Sequence, residues 1–296
     1  MNTDVYVLLL GAVEGTYATA AAFAGEYGIP VAVMDEDIPS YLLRSAFVRE
    51  TRRVPGIGFD GIFKRAIRDF YEANADKSLI LLPMTEDFAK RTLQERDSLE
   101  AMFLLPQKIP MKQAECPTPQ KALLLVYRGR EGSVRTVFCR VAARGEEGAP
   151  LAVIAAPTPD GLLQGLEDEG AGMTLYAVCE GDVLVPLNEE GGISPLCAFA
   201  AALDTSFAEW MLNDYLLCLP PAENTATEEA VFSLFPFRKV KPYLLKEEKD
   251  AVLRLRKKKL FLFFYPPKGE RKGPICRAVL NRFYRQSWEI RAKRKK

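Results

Sequence analysis

The chain contains no histidine. That removes every His-dependent catalytic triad, every imidazole acid–base mechanism and every His-containing zinc site. Its six cysteines (Cys116, Cys139, Cys179, Cys197, Cys218 and Cys276) are scattered, with no C-x-x-C pair. No zinc or dithiol redox motif can be built on that spacing. The apolar runs are all shorter than the ~20 residues that span a bilayer. Asp4 precedes the first apolar run and no basic stretch leads into it, so the N-terminus is not expected to be a signal peptide. The expectation is a cytoplasmic chain with reduced thiols.

What is present is globular in composition. The 296 residues are 48% hydrophobic and 27% charged, enough for one large domain or two ordinary ones. The formal net charge is only +1, but its distribution is uneven. From Arg238 to Lys296 there are 21 basic and 5 acidic residues, which leaves 19 basic and 34 acidic in the first 237. An acidic body joined to a strongly basic end points to a surface that meets a polyanion.

The first hundred residues alternate between strand and helix patterns. Val5–Leu10 is a continuous apolar run of strand length, followed by the turn Gly11-Ala12-Val13-Glu14-Gly15. Ala20, Phe23, Ala24 and Tyr27 then recur at helical spacing, and Gly28 can end that helix. Val31–Met34 reads as a second strand. Asp60 can cap a helix that carries Phe63, Ala66, Ile67 and Phe70 on one face, Ser78–Leu82 reads as a further strand, and Thr85 can cap the next helix. This order predicts an α/β fold with a parallel sheet. In such sheets ligands lie beyond the carboxyl ends of the strands, which makes Gly11, Glu14, Gly15 and Thr16 candidate ligand-loop residues. The Gly-x-x-x-Gly spacing is not the G-x-G-x-x-G fingerprint, and Asp35-Glu36-Asp37 after the second strand argues against a bound phosphate.

Gly11, Tyr17-Ala18, Phe23, Tyr27-Gly28-Ile29, Arg44-Ser45, Pro55, Leu82-Pro83-Met84-Thr85-Glu86-Asp87, Arg96, Leu99 and Leu105-Pro106 fall in one order. Together they resemble the N-terminal domain of the ATP-grasp carboxylate–amine ligases, the group that includes the D-aspartate ligases of cell-wall synthesis. The resemblance adds Ser45 and Glu86 to the candidate ligand residues. Ala21 stands where that family has an arginine. The resemblance implies a Rossmann-like pre-ATP-grasp domain over 1–106, a truncated ATP-grasp α+β domain over 107–222 and a basic aromatic C-terminal extension over 223–296.

The middle of the chain carries the resemblance onward with departures. After Cys116-Pro117-Thr118-Pro119 the strand Lys121–Tyr127 begins almost at once, turns at Gly129–Gly132 and returns along Val134–Ala143, so a nucleotide-clamping subdomain is expected to be missing. Leu151–Ala155 is strand-like, Leu162–Leu166 helical, and Thr174–Cys179 pairs with Val183–Leu187 around Gly181-Asp182. Leu187-Asn188-Glu189-Glu190-Gly191-Gly192 is similar to the family's metal-binding strand, in which a carboxylate and an amide two residues apart face the same way and bridge ATP phosphates through Mg²⁺. Asn188 keeps the amide as a degenerate metal position. Pro186 replaces the carboxylate, Glu190 stands at the arginine position, and the neighbouring strand offers Leu175, Tyr176 and Ala177 where an acid is expected. Ser206-x-x-Glu209 is a capping box for a helix that holds Trp210, which is read as core.

Beyond the linker Pro220–Asn224 the basic end mixes cations with aromatics. Arg254, Arg256, Lys257, Lys258, Lys259, Lys293, Arg294, Lys295 and Lys296 are its candidate anionic-surface residues. Three readings stand: packing against the acidic body, attachment to an anionic membrane surface at its inner face, and nucleic-acid binding, for which no known motif is visible. For function, the resemblance implies ATP and Mg²⁺ chemistry that joins a carboxylate to an amine, in cell-wall precursor metabolism. The altered positions make the favoured expectation a ligase-like protein that has lost catalysis and binds a ligand or a protein partner, a full-length ligase or a second copy of itself. An active amino-acid ligase and a basic anionic-surface binding protein are the alternatives.

Overall fold

The computed structural model describes residues 4–105, 120–145, 150–165, 172–186, 207–214, 229–233, 237–258 and 261–263. The first of these segments builds a four-stranded sheet from β1 (Val5–Leu10), β2 (Val31–Asp35), β3 (Glu50–Arg53) and β4 (Ser78–Pro83), in the order β3-β2-β1-β4 and parallel throughout. A parallel strand covered on both faces needs an unbroken apolar run, and all six residues of β1 are buried. Val5, Val7 and Leu9 face one apolar cluster, while Tyr6, Leu8 and Leu10 face another, as strand alternation requires.

Helices cover both faces. On one, α1 (Glu14–Ala20) runs directly into a π-helical turn, Ala21–Glu26. Gly28 ends it as the sequence suggests. At φ +66° its N–H donates to the Ala24 carbonyl (3.1 Å) and Ile29 N–H donates to the Phe23 carbonyl (3.1 Å), so a left-handed glycine closes the widened last turn. On the same side lies the short α2 (Ser40–Leu43). On the other, α3 (Asp60–Glu72) buries Phe63, Ile67 and Phe70. Asp60 does not cap α3. Phe59 holds the cap position, Asp60 opens the helix, and its carboxylate pairs with Arg91 of α4 (Glu86–Gln94). Thr85 caps α4 as expected, accepting the Phe88 N–H at 3.4 Å, and α5 (Arg96–Glu100) follows.

The second sheet has seven strands. They are β5 (Ala122–Arg128), β6 (Val134–Arg144), β7 (Pro150–Ala156), β8 (Gly172–Val178), β9 (Leu184–Pro186), β10 (Val231–Ser233) and β11 (Phe261–Phe263), in the order β11-β10-β7-β6-β5-β8-β9. Neighbours are antiparallel except β10 and β11. The hairpin turn at 129–132 and the tight turn at Gly181-Asp182 fall where the glycines place them. Leu162–Gly165 is a single 3₁₀ turn.

One face of this sheet (Leu123, Leu125, Tyr127, Cys139) packs against α6 (Phe207–Leu212), α7 (Phe237–Val240) and α8 (Lys249–Lys257), through Trp210, Val240, Val252 and Leu255. Trp210 is 2% exposed, a core residue as its sequence context suggests. Among the described residues, the segment after residue 223 thus contributes two strands and two helices to the sheet assembly. Leu244 bridges Ala143, and Leu245 N–H donates to the Ala142 carbonyl at the bulge of β6. A continuous apolar cluster links this face to the α1 side of the first sheet.

Cys139 is a buried free thiol, its pKa pushed up by burial, but Cys179 is disulfide-bonded. This corrects the expectation of reduced thiols. A disulfide needs proximity in space, which distant sequence positions do not reveal. Among the described residues no helix is long and apolar enough to cross a membrane.

Candidate functional site

Two places in this fold hold or adjoin the sequence-predicted site positions. The first is the carboxyl edge of the parallel sheet. The strand order reverses between β1 and β4, so the loops that leave these strands flank the crevice. Gly11 has φ +106°, and a Cβ there would stand 2.7 Å from Thr85 Cγ2. Only glycine lets the two loops approach so closely.

The Gly11, Ala12, Val13 and Thr16 polar groups of the first loop are bonded within the chain. Gly11 N–H donates to the Met34 carbonyl (3.0 Å). Ala12 N–H donates to Asp35 Oδ2 (2.7 Å), and Val13 N–H to Thr16 Oγ1 (3.1 Å). The Thr16 hydroxyl donates to the Gly11 carbonyl (2.6 Å) and is fully buried, and Gly15 is buried beside it. Asp35 Oδ1 takes the Glu36 N–H (2.6 Å), Glu36 takes the Gly56 N–H (3.2 Å), and Asp37 pairs with Arg53 (2.7 Å). Burial raises the Asp35 carboxyl pKa, the two backbone N–H groups oppose that rise, and Asp37 and Glu36 add to it. A phosphate-binding loop turns free backbone N–H groups toward its ligand. Here the chain's own carboxylate and hydroxyl already occupy those of Ala12 and Val13.

Of the other candidate ligand residues, Ser45 is 7% exposed and its hydroxyl accepts the Phe47 N–H (3.1 Å), within a local turn. Glu14 and Glu86 are the first residues of α1 and α4, and their side chains lie outside the described positions.

The second place is the β8–β9 hairpin, the ladder that leads toward Asn188. Tyr176 is the cross-strand partner of Pro186, Ala177 of Val185 and Val178 of Leu184. Tyr176 and Val178 lie on a buried apolar face with Ala122, Leu124, Val126, Phe138 and Leu162, and Leu184 packs against it. Ala177, Cys179 and Val185 form a small cluster of their own. Mg²⁺ that bridges phosphates needs hard oxygen ligands, usually carboxylates. The positions paired here are Tyr and Pro, and among the described residues there is no group of three or more His, Cys, Asp or Glu that could hold a metal. The described hairpin does not fit a phosphate-bridging Mg²⁺. Asn188, Glu189 and Glu190 lie outside the described residues.

A third polar cluster does not stand out from the sequence. Asp214, just past α6, is 3% exposed. Its carboxylate takes the Tyr127 hydroxyl (2.8 Å), the Arg130 N–H (3.2 Å) and Arg130 Nε (3.4 Å), and its backbone carbonyl takes the same guanidinium. Trp210 packs near Tyr127, with ring centroids 6.0 Å apart. The cluster locks α6 to the β5–β6 hairpin. No local motif marks it, because its members are 84 and 87 positions apart.

On the basic segment, Arg254 pairs with Glu229 (2.6 Å), and the Arg256 guanidinium lies 4.0 Å from the Phe237 ring centroid. Lys257 and Lys258 are exposed, and Lys259, Lys293, Arg294, Lys295 and Lys296 lie outside the described residues.

No protein-family model matches the chain. No curated protein matches it. Solved structures do. The N5-carboxyaminoimidazole synthetase from Staphylococcus aureus complexed with ADP covers 85% of this chain and 87% of its own, at 10% identity and a TM-score of 0.51. The N5-carboxyaminoimidazole ribonucleotide synthetase from Thermus thermophilus covers 76% and 82%, at 15% identity and a TM-score of 0.48. A biotin carboxylase complex from Campylobacter jejuni covers 70% of each chain, at 10% identity and a TM-score of 0.44. The Staphylococcus likeness carries the fold alone: the chain shares that synthetase's mixed α/β architecture, with one parallel sheet and one largely antiparallel sheet.

Proposed function

We infer that this chain is an ATP-grasp-fold protein that has lost ligation chemistry and acts by binding a ligand or a protein partner. The observation that carries this reading is the pairing of Tyr176 with Pro186 on a hairpin whose Tyr176 face is buried and apolar. Phosphoryl transfer depends on positioning and charge neutralisation around the phosphates. An apolar face supplies neither. The loop after β1 supports the same reading, since Asp35 and Thr16 hold N–H groups that an anionic ligand would need.

The strand order β3-β2-β1-β4 supports a Rossmann-like reading of the first unit. Only residues 105–121 separate its last bridged position, Leu104, from β5, which supports the loss of the nucleotide-clamping subdomain. The D-aspartate ligase likeness suggests amino-acid or cell-wall precursor chemistry as the place to look for the ligand.

The test is titration calorimetry with Mg·ATP on the full chain, followed by phosphate release in the presence of candidate amino acids. The expected result is no binding below millimolar ATP and no amine-dependent phosphate. Micromolar Mg·ATP affinity together with amine-dependent turnover overturns the reading and restores a ligase that uses ATP and Mg²⁺.

A further inference from the structure

The face formed by α7, the turn that follows it and α8 concentrates positive charge. Residues 237–258 hold nine basic residues against three acidic ones, Glu247, Glu248 and Asp250. Arg238, Lys241, Lys246, Lys249, Lys257 and Lys258 are all exposed, and none is ion-paired within the described residues. The segment is fixed in place. Val240, Val252 and Leu255 are buried in the core, Arg140 pairs with Glu248 (3.3 Å), and Glu229 holds Arg254. The cations therefore stand on a face anchored from behind.

We propose that this face docks on an anionic phospholipid surface by charge alone, without insertion. The apolar side of α8 faces the protein's own core, so no hydrophobic stripe is left to enter the acyl region. Juxtaposed lysines bind an anionic leaflet at about 1 kcal/mol each, which is about five-fold in affinity per residue, and the attraction fades beyond a Debye length. A flat field of headgroups asks only for a density of point charges, and five of the six cations just named are lysines. Nucleic acid fits this face less well. Binding to single strands relies on exposed aromatics for stacking. Phe237 is covered by Arg256, Tyr243 is half-buried, and Arg254, a side chain able to fork onto a phosphate, is engaged by Glu229. This inference is independent of the β8–β9 reading and survives its failure.

The experiment is co-sedimentation of the full chain with vesicles of phosphatidylcholine alone and of phosphatidylcholine with phosphatidylserine, at low and high salt. Binding is expected only to the mixed vesicles and is expected to fall steeply with salt. The quadruple variant Lys246→Gln, Lys249→Gln, Lys257→Gln, Lys258→Gln is expected to keep the wild-type melting temperature, since all four residues are exposed, and to lose binding by about a hundred-fold or more. Glu229→Gln, which releases Arg254, is expected to strengthen binding by up to about ten-fold. Equal binding to both vesicles overturns the proposal. So does an unchanged quadruple variant, which would place the contact elsewhere on the chain. Tighter binding to a duplex or single-stranded oligonucleotide than to mixed vesicles at the same salt overturns it in favour of nucleic acid.

Discussion

The carboxyl edge of the parallel sheet and the described part of the β8–β9 hairpin present opposite surfaces to a ligand. At the sheet edge the polar groups are present and are bonded to one another: Ala12 to Asp35, Val13 to Thr16, Gly56 to Glu36. On the described hairpin the paired positions of β8 and β9 carry no carboxylate, and Tyr176, opposite Pro186, lies among apolar neighbours. One substitution can reopen a self-bonded loop, whereas an apolar face needs several carboxylates and a cavity to hold them.

The largest effect that tests this contrast is expected on the hairpin. Tyr176→Glu places a carboxylate on a face that is 5% exposed at that residue, among Leu124, Val126 and Val178. The expected loss of stability is about 3 kcal/mol or more, read from denaturant melts. Millimolar Mg²⁺ should not rescue it. A magnesium-dependent recovery would reveal a latent metal position and break the contrast.

At the sheet edge, Gly11→Ala is expected to cost about 2–3 kcal/mol, through its positive φ and the 2.7 Å approach to Thr85 Cγ2. Hydrogen exchange should loosen at the start of α4. A neutral outcome would show that the two loops do not meet as described.

The smallest effect is expected at Asp35. Burial raises its folded pKa above the usual 3.8, so the folded state holds the proton more tightly than the unfolded one. The corresponding stabilisation is complete below about pH 3.8 and is lost as pH rises through the folded value. Asp35→Asn should change stability at neutral pH by no more than about 1 kcal/mol. The difference between wild type and variant should shift in favour of wild type on acidification across that window, and a flat difference would remove Asp35 from the role of a buried brace. If the same variant also admits a phosphate-bearing ligand that wild type rejects, the self-bonded character of the loop becomes a measured property.

Much of the fold is legible in local patterns. The run Val5–Leu10, the Gly28 helix end, the Thr85 cap and the 129–132 hairpin turn all lie where those patterns place them, because each depends on residues close together in the chain. The expectation that Asp60 caps α3 fails for a similarly local reason. A cap residue is defined by its backbone angles, and Phe59 holds the extended conformation there. The candidate loop was legible as a place. Its internal bonding was not, since Asp35 is 23 residues from the Ala12 N–H it accepts. The Asp214–Tyr127–Arg130 lock and the disulfide at Cys179 are hidden for the same reason.

Residue identity alone establishes the absence of imidazole chemistry, the scattered cysteines and the division into an acidic body and a basic end. The resemblance to the ATP-grasp ligases implies one acid at Pro186 and another in the Leu175–Ala177 region that holds Tyr176, where this sequence has none. Tertiary structure was needed to show that these two residues face each other across a strand pair and that Tyr176 lies on a buried apolar face. It was needed again to show that residues 237–258 are anchored in the core while Arg238, Lys241, Lys246, Lys249, Lys257 and Lys258 are exposed. Register, burial and the partners of a charge arise from contacts between distant parts of the chain, and no local pattern carries them.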